Sequence, residues 1–255
     1  MKVKLLELTL KEIREGEKPE VAVLPWGSCE PHNLHLPYGS DTFTAEAIAE
    51  ISSRKARERG ARIIVLPTIP VGVNTNLMEF PLTLNLNPST QLSILKDITK
   101  SLEKHGIKKL VIINGHGGND FKPLIRELHG ETSIWIFLID WWRVKEKLLQ
   151  EISHHPEGEH AHEAETSWMM YLKPELVHLE WADEGKVKEP SLEGMREGWV
   201  WFTRPWHLLS TSSGYGNPKE ASPEKGEIIV EKITDRIARF LLELSRTSIE
   251  KNFPY

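Results

Sequence analysis

Short apolar runs alternate along the chain with segments of helical periodicity, and this alternation restricts the possible folds more than any other feature of the sequence. The runs are rich in Val, Ile and Leu, and most end at Gly, Pro, Asn or Asp, as buried strands do. They span residues 21–27, 61–72, 108–115 and 133–140. Strands separated by helices form βαβ units. The pattern therefore predicts an α/β fold with a mostly parallel central sheet covered by helices on both faces.

Helical features occupy the segments between and after these runs. An Asp or a Thr can cap the first helix, and Gly106 suits the end of the second. The predicted helices span residues 41–59, 88–105, 120–129, 162–172 and 223–244. Residues 174–223 are rich in Gly, Pro and Trp and show little periodicity. We expect them to be a lid or an interface excursion within a single domain, residues 1–255, and not a second domain.

Composition and charge exclude several classes of protein. The net charge of −5 gives no basic surface for nucleic acid. No apolar run reaches the roughly 18 residues that span a bilayer, and the N-terminal segment has no signal-peptide pattern. The single cysteine, Cys29, excludes an internal disulfide framework. We therefore expect a cytoplasmic protein that binds neither nucleic acid nor membranes.

Three polar clusters lie at or just beyond predicted strand ends or in loops, which is where α/β sheets bind ligands. They span residues 27–41, 114–120 and 158–167. In the first, Glu30 and His32 are two residues apart, so they point to the same side of an extended segment. Asp41 begins a predicted helix, where its carboxylate can bridge two cations. Carboxylate and imidazole ligands suit Zn²⁺, Mn²⁺ or Fe²⁺ better than Ca²⁺ or Mg²⁺.

The second and third clusters add further groups of the same kinds. His116 follows a strand among glycines, which allow close approach of another segment, although a lone His there is as easily an ordinary polar residue. The third cluster contains Glu159, His160, His162, Glu163 and Glu165. Its members include pairs three residues apart, which are neighbours on one helix face. A charged first helical turn explains one of these glutamates but not the whole set.

Taken together, the clusters resemble the motifs of the creatininase family of metal-dependent amidohydrolases. The first reads GSCEPHNLHLPYGSD, where the family usually has G-S-x-E-Q-H-G-P-H-L-P-L-G-T-D. The family's N-G-H-G-G-N stands unaltered at residues 114–119, and its H-A-G-E-x-E-T-S corresponds to HAHEAETS at residues 160–167. A late family motif is matched by GYGNPKEASPEKG at residues 214–226. The resemblance spans nearly the whole chain, with the motifs in the family's order.

This resemblance implies a three-layer α/β/α domain with two divalent metal ions, most simply Zn²⁺, with Mn²⁺ or Fe²⁺ as alternatives. Carried over residue by residue, the ligands are Glu30 and His116 for one ion, His32 and Glu163 for the other, and Asp41 between them. Glu165 is the second choice in place of Glu163. The resemblance also implies a homo-oligomer, with a hexamer as one form.

The resemblance implies catalytic and supporting residues as well. His160 matches the family's catalytic histidine, and Glu159 beside it is the second residue expected to be catalytic. Residues expected to orient ligands or contact substrate are His35, Asn74, Asn114, Asn119, His162 and Glu165. Several positions depart from the family pattern: Asn33 and Leu82 replace glycines, and Asn74 and His162 replace a Ser and a Gly. Because these changes fall in expected pocket walls, they weaken the case for creatinine itself as the substrate.

The implied reaction is attack of a metal-activated water on a carbonyl of a small cyclic substrate, with His160 donating a proton to the leaving group or stabilising the oxyanion. Hydrolysis of a cyclic amide is the default for the family. The alternative is hydrolytic C–C ring opening of a cyclic diketone derived from a polyol such as inositol. In both reactions the metal centre would activate water for attack on a carbonyl. The sequence therefore does not determine the leaving group.

Three other interpretations compete with a two-metal hydrolase. Cys29 could be a nucleophile with His160 or His35 as base, although it alternates away from Glu30 along an extended segment. The protein could also be a non-catalytic module that binds metal or sugar. Finally, the site could hold one metal ion and not two.

Overall fold

The computed structural model describes residues 2–155, 157–250 and 253–255. Within these ranges, four parallel strands form one sheet in the order β2-β1-β3-β4. The strands are β1 (Val21–Trp26), β2 (Ile63–Val65), β3 (Lys109–Asn114) and β4 (Trp135–Asp140). The predicted α/β fold with a parallel sheet is confirmed.

Helices follow each strand, and others precede β1 and follow the last strand near the end of the chain. They are α1 (Leu10–Glu15), α2 (Ser40–Glu58), α3 (Pro88–Lys104), α4 (Phe121–Leu128), α5 (Glu146–Ile152), α6 (Glu163–Leu172), α7 (Glu193–Arg196), α8 (Trp206–Leu209) and α9 (Pro223–Arg246). Short 3₁₀ turns occur at Leu5–Glu7, Trp141–Lys145, Pro174–Leu176 and Leu179–Trp181. None of the helices in the described ranges is long and apolar enough to cross a bilayer.

Two apolar cores, one on each face of the sheet, give the three layers. Val21 and Val23 of β1 point to the face covered by α2, α6 and α9. Ala22 and Leu24 point to the opposite face, where they pack with residues of α3 and α4. Side chains alternate between the faces of a strand, so a strand buried on both sides must be apolar throughout. This requirement explains why the strands appear in the sequence as continuous apolar runs.

Strand β2 is much shorter than the apolar run that predicts it. Ile63–Val65 forms the strand, and the run then passes through Pro67 and Pro70, which have no backbone N–H to give to a sheet. The N-terminal segment covers part of this outer strand, because the backbone N–H of Val65 donates to the carbonyl of Val3 at 2.9 Å. The run therefore contains a strand, as predicted, but that strand is much shorter than the run.

The segment 174–223 contains only short helices, as its lack of periodicity predicts. Three of its tryptophans, Trp181, Trp199 and Trp201, are exposed, whereas Trp206 is buried. Exposed indole rings suit either a lid or an interface between subunits. Both roles stay predictions.

Candidate metal centre

The polar clusters meet because β1 and β3 end side by side. Trp26, the last residue of β1, is in register with Asn114, the last residue of β3. The loops that leave these strands therefore start from neighbouring points at the carboxyl edge of the sheet. Asp41 reaches the same place in the first turn of α2, and the segment before α6 brings His160.

Glu30, Asp41 and His116 form one buried group able to hold a cation. Nδ1 of His116 lies 3.2 Å from Oε1 of Glu30 and 3.0 Å from Oδ2 of Asp41. The ligand atoms of the group all lie within 4.8 Å of one another. At this spacing a single ion can contact all three side chains if their ligand atoms shift slightly.

A second group shares Asp41 with the first. Nε2 of His32 lies 3.1 Å from Oδ1 of Asp41 and 3.6 Å from Oε1 of Glu165. The two carboxylate oxygens of Asp41 thus face different groups, Oδ1 toward His32 and Oδ2 toward His116. This is the arrangement that a carboxylate bridging two metal ions requires.

Each histidine of the site has one ring nitrogen held by a backbone carbonyl. Nδ1 of His32 is 3.0 Å from the carbonyl of Glu30, Nε2 of His116 is 3.0 Å from that of Val73, and Nε2 of His160 is 2.9 Å from that of Pro31. A carbonyl oxygen only accepts, so the anchored nitrogen carries the hydrogen. In the neutral ring the other nitrogen then presents a lone pair to the carboxylates, as in most metal-binding histidines.

The electrostatics of the site favour positive charge. Burial opposes protonation of His32, but the carboxylates of Asp41 and Glu165 outweigh it and raise the pKa of His32 to about 10. The pKa of His116 is also raised, since Glu30 and Asp41 overcome the effect of burial. Burial favours neutral Asp41, yet the two histidines keep the pKa of this carboxyl below its ordinary value. Three buried carboxylates in one pocket need cations near them.

The surroundings of one carboxylate oxygen indicate whether metal ions fit this set of ligand atoms. When the ring of His116 is neutral with its hydrogen on Nε2, the buried Oδ2 of Asp41 accepts no hydrogen bond from any donor in the described ranges, although Nδ1 of His116 is only 3.0 Å away. A buried carboxylate oxygen without a donor is costly unless a cation contacts it. Together with the lone-pair nitrogens of His32 and His116, this atom fits a pair of divalent cations.

The structure brings Glu165, the second choice for the fifth ligand, toward His32, whereas Glu163, the first choice, has other partners. Glu163 is fully buried, but its Oε1 accepts from Nζ of Lys225 at 2.5 Å and its Oε2 from the backbone N–H of His155 at 2.7 Å. It belongs to none of the cation-binding groups found in the described part of the chain. Residues two apart on a helix point about 200° away from each other, so only one of the two glutamates can face His32.

Asn114 and Asn119 support the site in the way that was predicted for ligand-orienting residues. Oδ1 of Asn114 accepts from the backbone N–H of His116 at 3.1 Å, and its Nδ2 donates to Asp140 at 2.9 Å. Oδ1 of Asn119 accepts from the backbone N–H of Val73 at 3.0 Å, the residue whose carbonyl anchors the ring of His116. Both amides therefore hold the loops that carry the site.

Asn74, His35 and His162 lie behind the cavity and do not line it. Nδ2 of Asn74 donates to Oγ of Ser28 at 2.7 Å and to the carbonyl of Leu84 at 2.8 Å. His35 pairs with Oγ1 of Thr166 at 2.8 Å. His162 precedes α6 at its N-cap position, and its Nδ1 has no hydrogen-bond partner in the described ranges. Asn74 and His35 thus bond to other parts of the protein, and the expected roles of all three side chains stay predictions.

A cavity of about 780 Å³ opens beside the two groups. Glu30, His116 and His160 form its inner wall, and Trp206 forms part of the opposite side. The rings of His160 and Trp206 lie 5.4 Å apart, edge to face. Glu159 also borders the cavity, but its carboxylate pairs with Arg204 and not with His160. A catalytic role for Glu159 stays a prediction.

Some contributors to the site were not among the predicted residues. Asp140 holds Asn114, and it could have been found because it ends a predicted strand at the same edge. The anchoring carbonyls of Pro31 and Val73 leave no trace in the sequence, since every residue has a carbonyl. Trp206 was predicted only as a possible member of a lid or an interface.

The surroundings of Cys29 disfavour a nucleophilic thiolate. Burial raises the pKa of its thiol, with Glu30 adding to the effect, so the reactive thiolate is disfavoured. The residue pairs with Leu84 through a backbone bridge and does not border the cavity. The cysteine-hydrolase alternative is not supported.

A parallel α/β/α sheet whose strand ends carry a buried set of carboxylates and imidazoles beside a cavity defines a metal-dependent hydrolase. The sequence profile of the family described as creatinine amidohydrolase matches residues 6–241. The chain therefore belongs to the creatininase family.

Characterised relatives of this chain differ in their reactions. It is 30% identical to the creatinine amidohydrolase of Pseudomonas putida, over 93% of this chain and 95% of that protein. It is 25% identical to the 3-dehydro-scyllo-inosose hydrolase of Thermotoga maritima, over 93% of this chain and 82% of that protein. Mycofactocin precursor peptide peptidases from mycobacteria also match, including one from Mycobacterium tuberculosis at 26% identity over 86% of this chain and 85% of that protein.

Solved structures of the family superimpose over almost the whole chain. A provisionally named creatinine amidohydrolase from Bacteroides fragilis has a TM-score of 0.91 and 37% identity, with 98% of each chain covered. A creatininase structure described as the Mn form has a TM-score of 0.79 and 25% identity, over 97% of this chain and 100% of that one. A mutant creatininase of Zn-Zn type has a TM-score of 0.78 and 26% identity, with the same coverage.

Proposed function

We propose that this protein opens a small cyclic substrate by hydrolysis, using two divalent cations that share Asp41. Glu30 and His116 would complete one cation site, and His32 and Glu165 the other. The division of the two Asp41 oxygens between two buried groups is the observation that carries this proposal. A site for a single ion would not need a separate imidazole on each side of one carboxylate.

Cations at these positions supply Lewis acidity, which polarises a carbonyl group and makes water a stronger nucleophile near neutral pH. His160 acts on the leaving group from the cavity side. Its Nε2 is held by the carbonyl of Pro31, so the proton that it exchanges with a substrate is the one on Nδ1. This atom lies 3.8 Å from Oε1 of Glu30, within reach of the reacting centre. Trp206 packs against the ring and keeps it in place.

Hydrolysis of a cyclic amide is the reaction that we favour. The family profile and the relative from Pseudomonas putida both concern cleavage of an amide in a small ring. A cyclic diketone from a polyol is the second candidate, supported by the Thermotoga maritima relative and by polar side chains on the cavity wall. Thr75 and Asn76 provide these hydrogen-bonding groups.

We propose Zn²⁺ as the metal, with Mn²⁺ and Fe²⁺ as alternatives, because oxygen and imidazole ligands accept all three. Family structures of Mn and of Zn-Zn type support the first two. We also propose a homo-oligomer, which is supported by the exposed rings of Trp199 and Trp201.

The test is a screen of metal-loaded protein against cyclic amides, creatinine included, and cyclic diketones. Chelator-treated protein is reloaded with Zn²⁺, Mn²⁺ or Fe²⁺, and ring opening is followed by mass spectrometry. We expect one substrate class to gain one water per molecule. His160→Asn should lower kcat by roughly 100-fold or more while the bound metal stays unchanged.

Two results would contradict the proposal. One is a fully loaded protein that binds less than two equivalents of any of these metals. The other is full activity in His160→Asn, which would remove the assigned proton donor from the reaction.

A further inference from the structure

Glu163 and Lys225 form a buried ion pair that the proposed chemistry does not use. Glu163 has no exposed side-chain surface, and both of its carboxylate oxygens are occupied, by Nζ of Lys225 at 2.5 Å and by the backbone N–H of His155 at 2.7 Å. Nζ of Lys225 also donates to the carbonyl of Glu220 at 2.7 Å. One carboxylate thus ties together the loop before α6, α6 itself and the first turn of α9.

Close packing of α9 on α6 reinforces this junction. A Cβ atom on Gly226 would lie 2.0 Å from the backbone carbonyl of Ser167, so the helices touch through their main chains. The hydroxyl of Ser167 also accepts from the backbone N–H of Ser222 at 3.1 Å. Contacts with α9 therefore help to locate the start of α6.

The same turn of α6 carries Glu165. Oε2 of Glu165 accepts from the backbone N–H of Ala161 at 2.5 Å, which leaves Oε1 toward His32 at 3.6 Å. The other proposed cation group depends on none of these contacts, because Glu30, Asp41 and His116 come from the loop after β1, from α2 and from the loop after β3.

We propose that Glu163 and Lys225 are positioning residues that set the affinity of one cation site only, the site completed by Glu165. A metal site tolerates ligand displacements of only about half an ångström, so a looser α6 turn weakens the site that uses it. The site of Glu30 and His116 keeps its affinity. This inference rests on the two-cation centre of the proposed function.

The experiment is a titration of metal-free protein with Mn²⁺ by calorimetry. Wild-type protein should bind two equivalents. Glu163→Gln and Lys225→Met should weaken one equivalent by roughly 10- to 100-fold and leave the other within about twofold. Lys225→Arg, which keeps the charge, should restore most of the affinity. The matched control is Lys55→Met, because Lys55 has the same 19% side-chain exposure as Lys225 and pairs with Glu231 and Asp235, away from α6.

The double variant Glu163→Gln with Lys225→Met separates positioning from simple support of the fold. It removes both charges, so no charge is left buried alone, and its thermal unfolding temperature should return toward that of the wild type. The Mn²⁺ equivalent that the single variants bind weakly should still bind weakly in the double variant. The inference is overturned if the double variant recovers both equivalents, or if the single variants weaken both equally. Wild-type protein that binds fewer than two equivalents would instead refute the proposed function.

Discussion

At the scale of single residues, the site depends on which ring nitrogen each histidine presents. His32, His116 and His160 each donate one N–H to a backbone carbonyl, and each turns its other nitrogen to the carboxylates. The anchoring carbonyls belong to loops whose shape is fixed by the fold. Imidazole and carboxylate are therefore correctly oriented before a cation binds, which lowers the cost of forming the site.

The buried ring of His35 leads to a prediction of how the stability of the protein depends on pH. Burial, with help from neighbouring His32, lowers the pKa of His35 to about 4 from an ordinary 6.5. Between these values the unfolded chain takes up a proton that the folded protein does not. The free energy of unfolding should therefore fall as the pH drops, by about 2 kcal/mol between pH 7 and pH 5 from this residue alone.

The measurement is urea unfolding at pH 7 and pH 5 for wild-type protein and His35→Gln at equal metal loading. Glutamine can still bond to Thr166 but does not titrate. The variant should lose less stability than the wild type over this interval. Equal losses in the two proteins would contradict the assignment of a buried neutral imidazole.

At the scale of secondary-structure elements, the loop after β3 must let α2 come close. A Cβ atom on Gly115 would lie 2.5 Å from the carbonyl of Asp41 and 2.9 Å from Cβ of Ala45. The first turn of α2, which supplies the shared carboxylate, thus packs directly on this glycine. A Cβ on Gly117, two residues later, would meet nothing within 4 Å.

These two glycines give a matched pair of variants. Gly115→Ala should destabilise the protein by about 1–3 kcal/mol and weaken metal binding, because α2 must move away. Gly117→Ala should change stability by less than about 0.5 kcal/mol. Chemical denaturation and metal titration measure both effects. A Gly115→Ala protein with wild-type metal affinity would show that the position of α2 does not control the site.

At the scale of the whole molecule, metal binding and folding should be coupled. The cation groups draw residues from the loops after β1 and β3 and from α2 and α6, so they exist only in the folded chain. A free metal concentration 100 times the Kd should raise the free energy of unfolding by about 2.7 kcal/mol for each site.

Thermal unfolding with and without a chelator tests this coupling. We expect chelation to lower the Tm of the wild-type protein clearly, and to change that of Asp41→Asn much less, because the shared carboxylate is already lost. An unchanged wild-type Tm after complete metal removal would mean that the buried carboxylates are stable without cations.

The sequence by itself determined the class of fold and most of the site. Continuous apolar runs separated by amphipathic segments require a parallel sheet buried on both faces, and polar residues after such strands must meet at one edge. Glu30, His32, Asp41 and His116 were named on these grounds and are found together. Such inferences need only the spacing and the polar or apolar character of residues within one segment of the chain.

Only the tertiary structure decided which of Glu163 and Glu165 faces His32. Both glutamates lie in the first turn of α6, and nothing local distinguishes them. The difference depends on Lys225, 62 residues beyond Glu163 in the sequence. Its ammonium group pairs with Glu163, whereas Glu165 faces His32. A carboxylate becomes a candidate ligand or a structural partner according to what packs against its helix, and that packing is a property of the assembled chain.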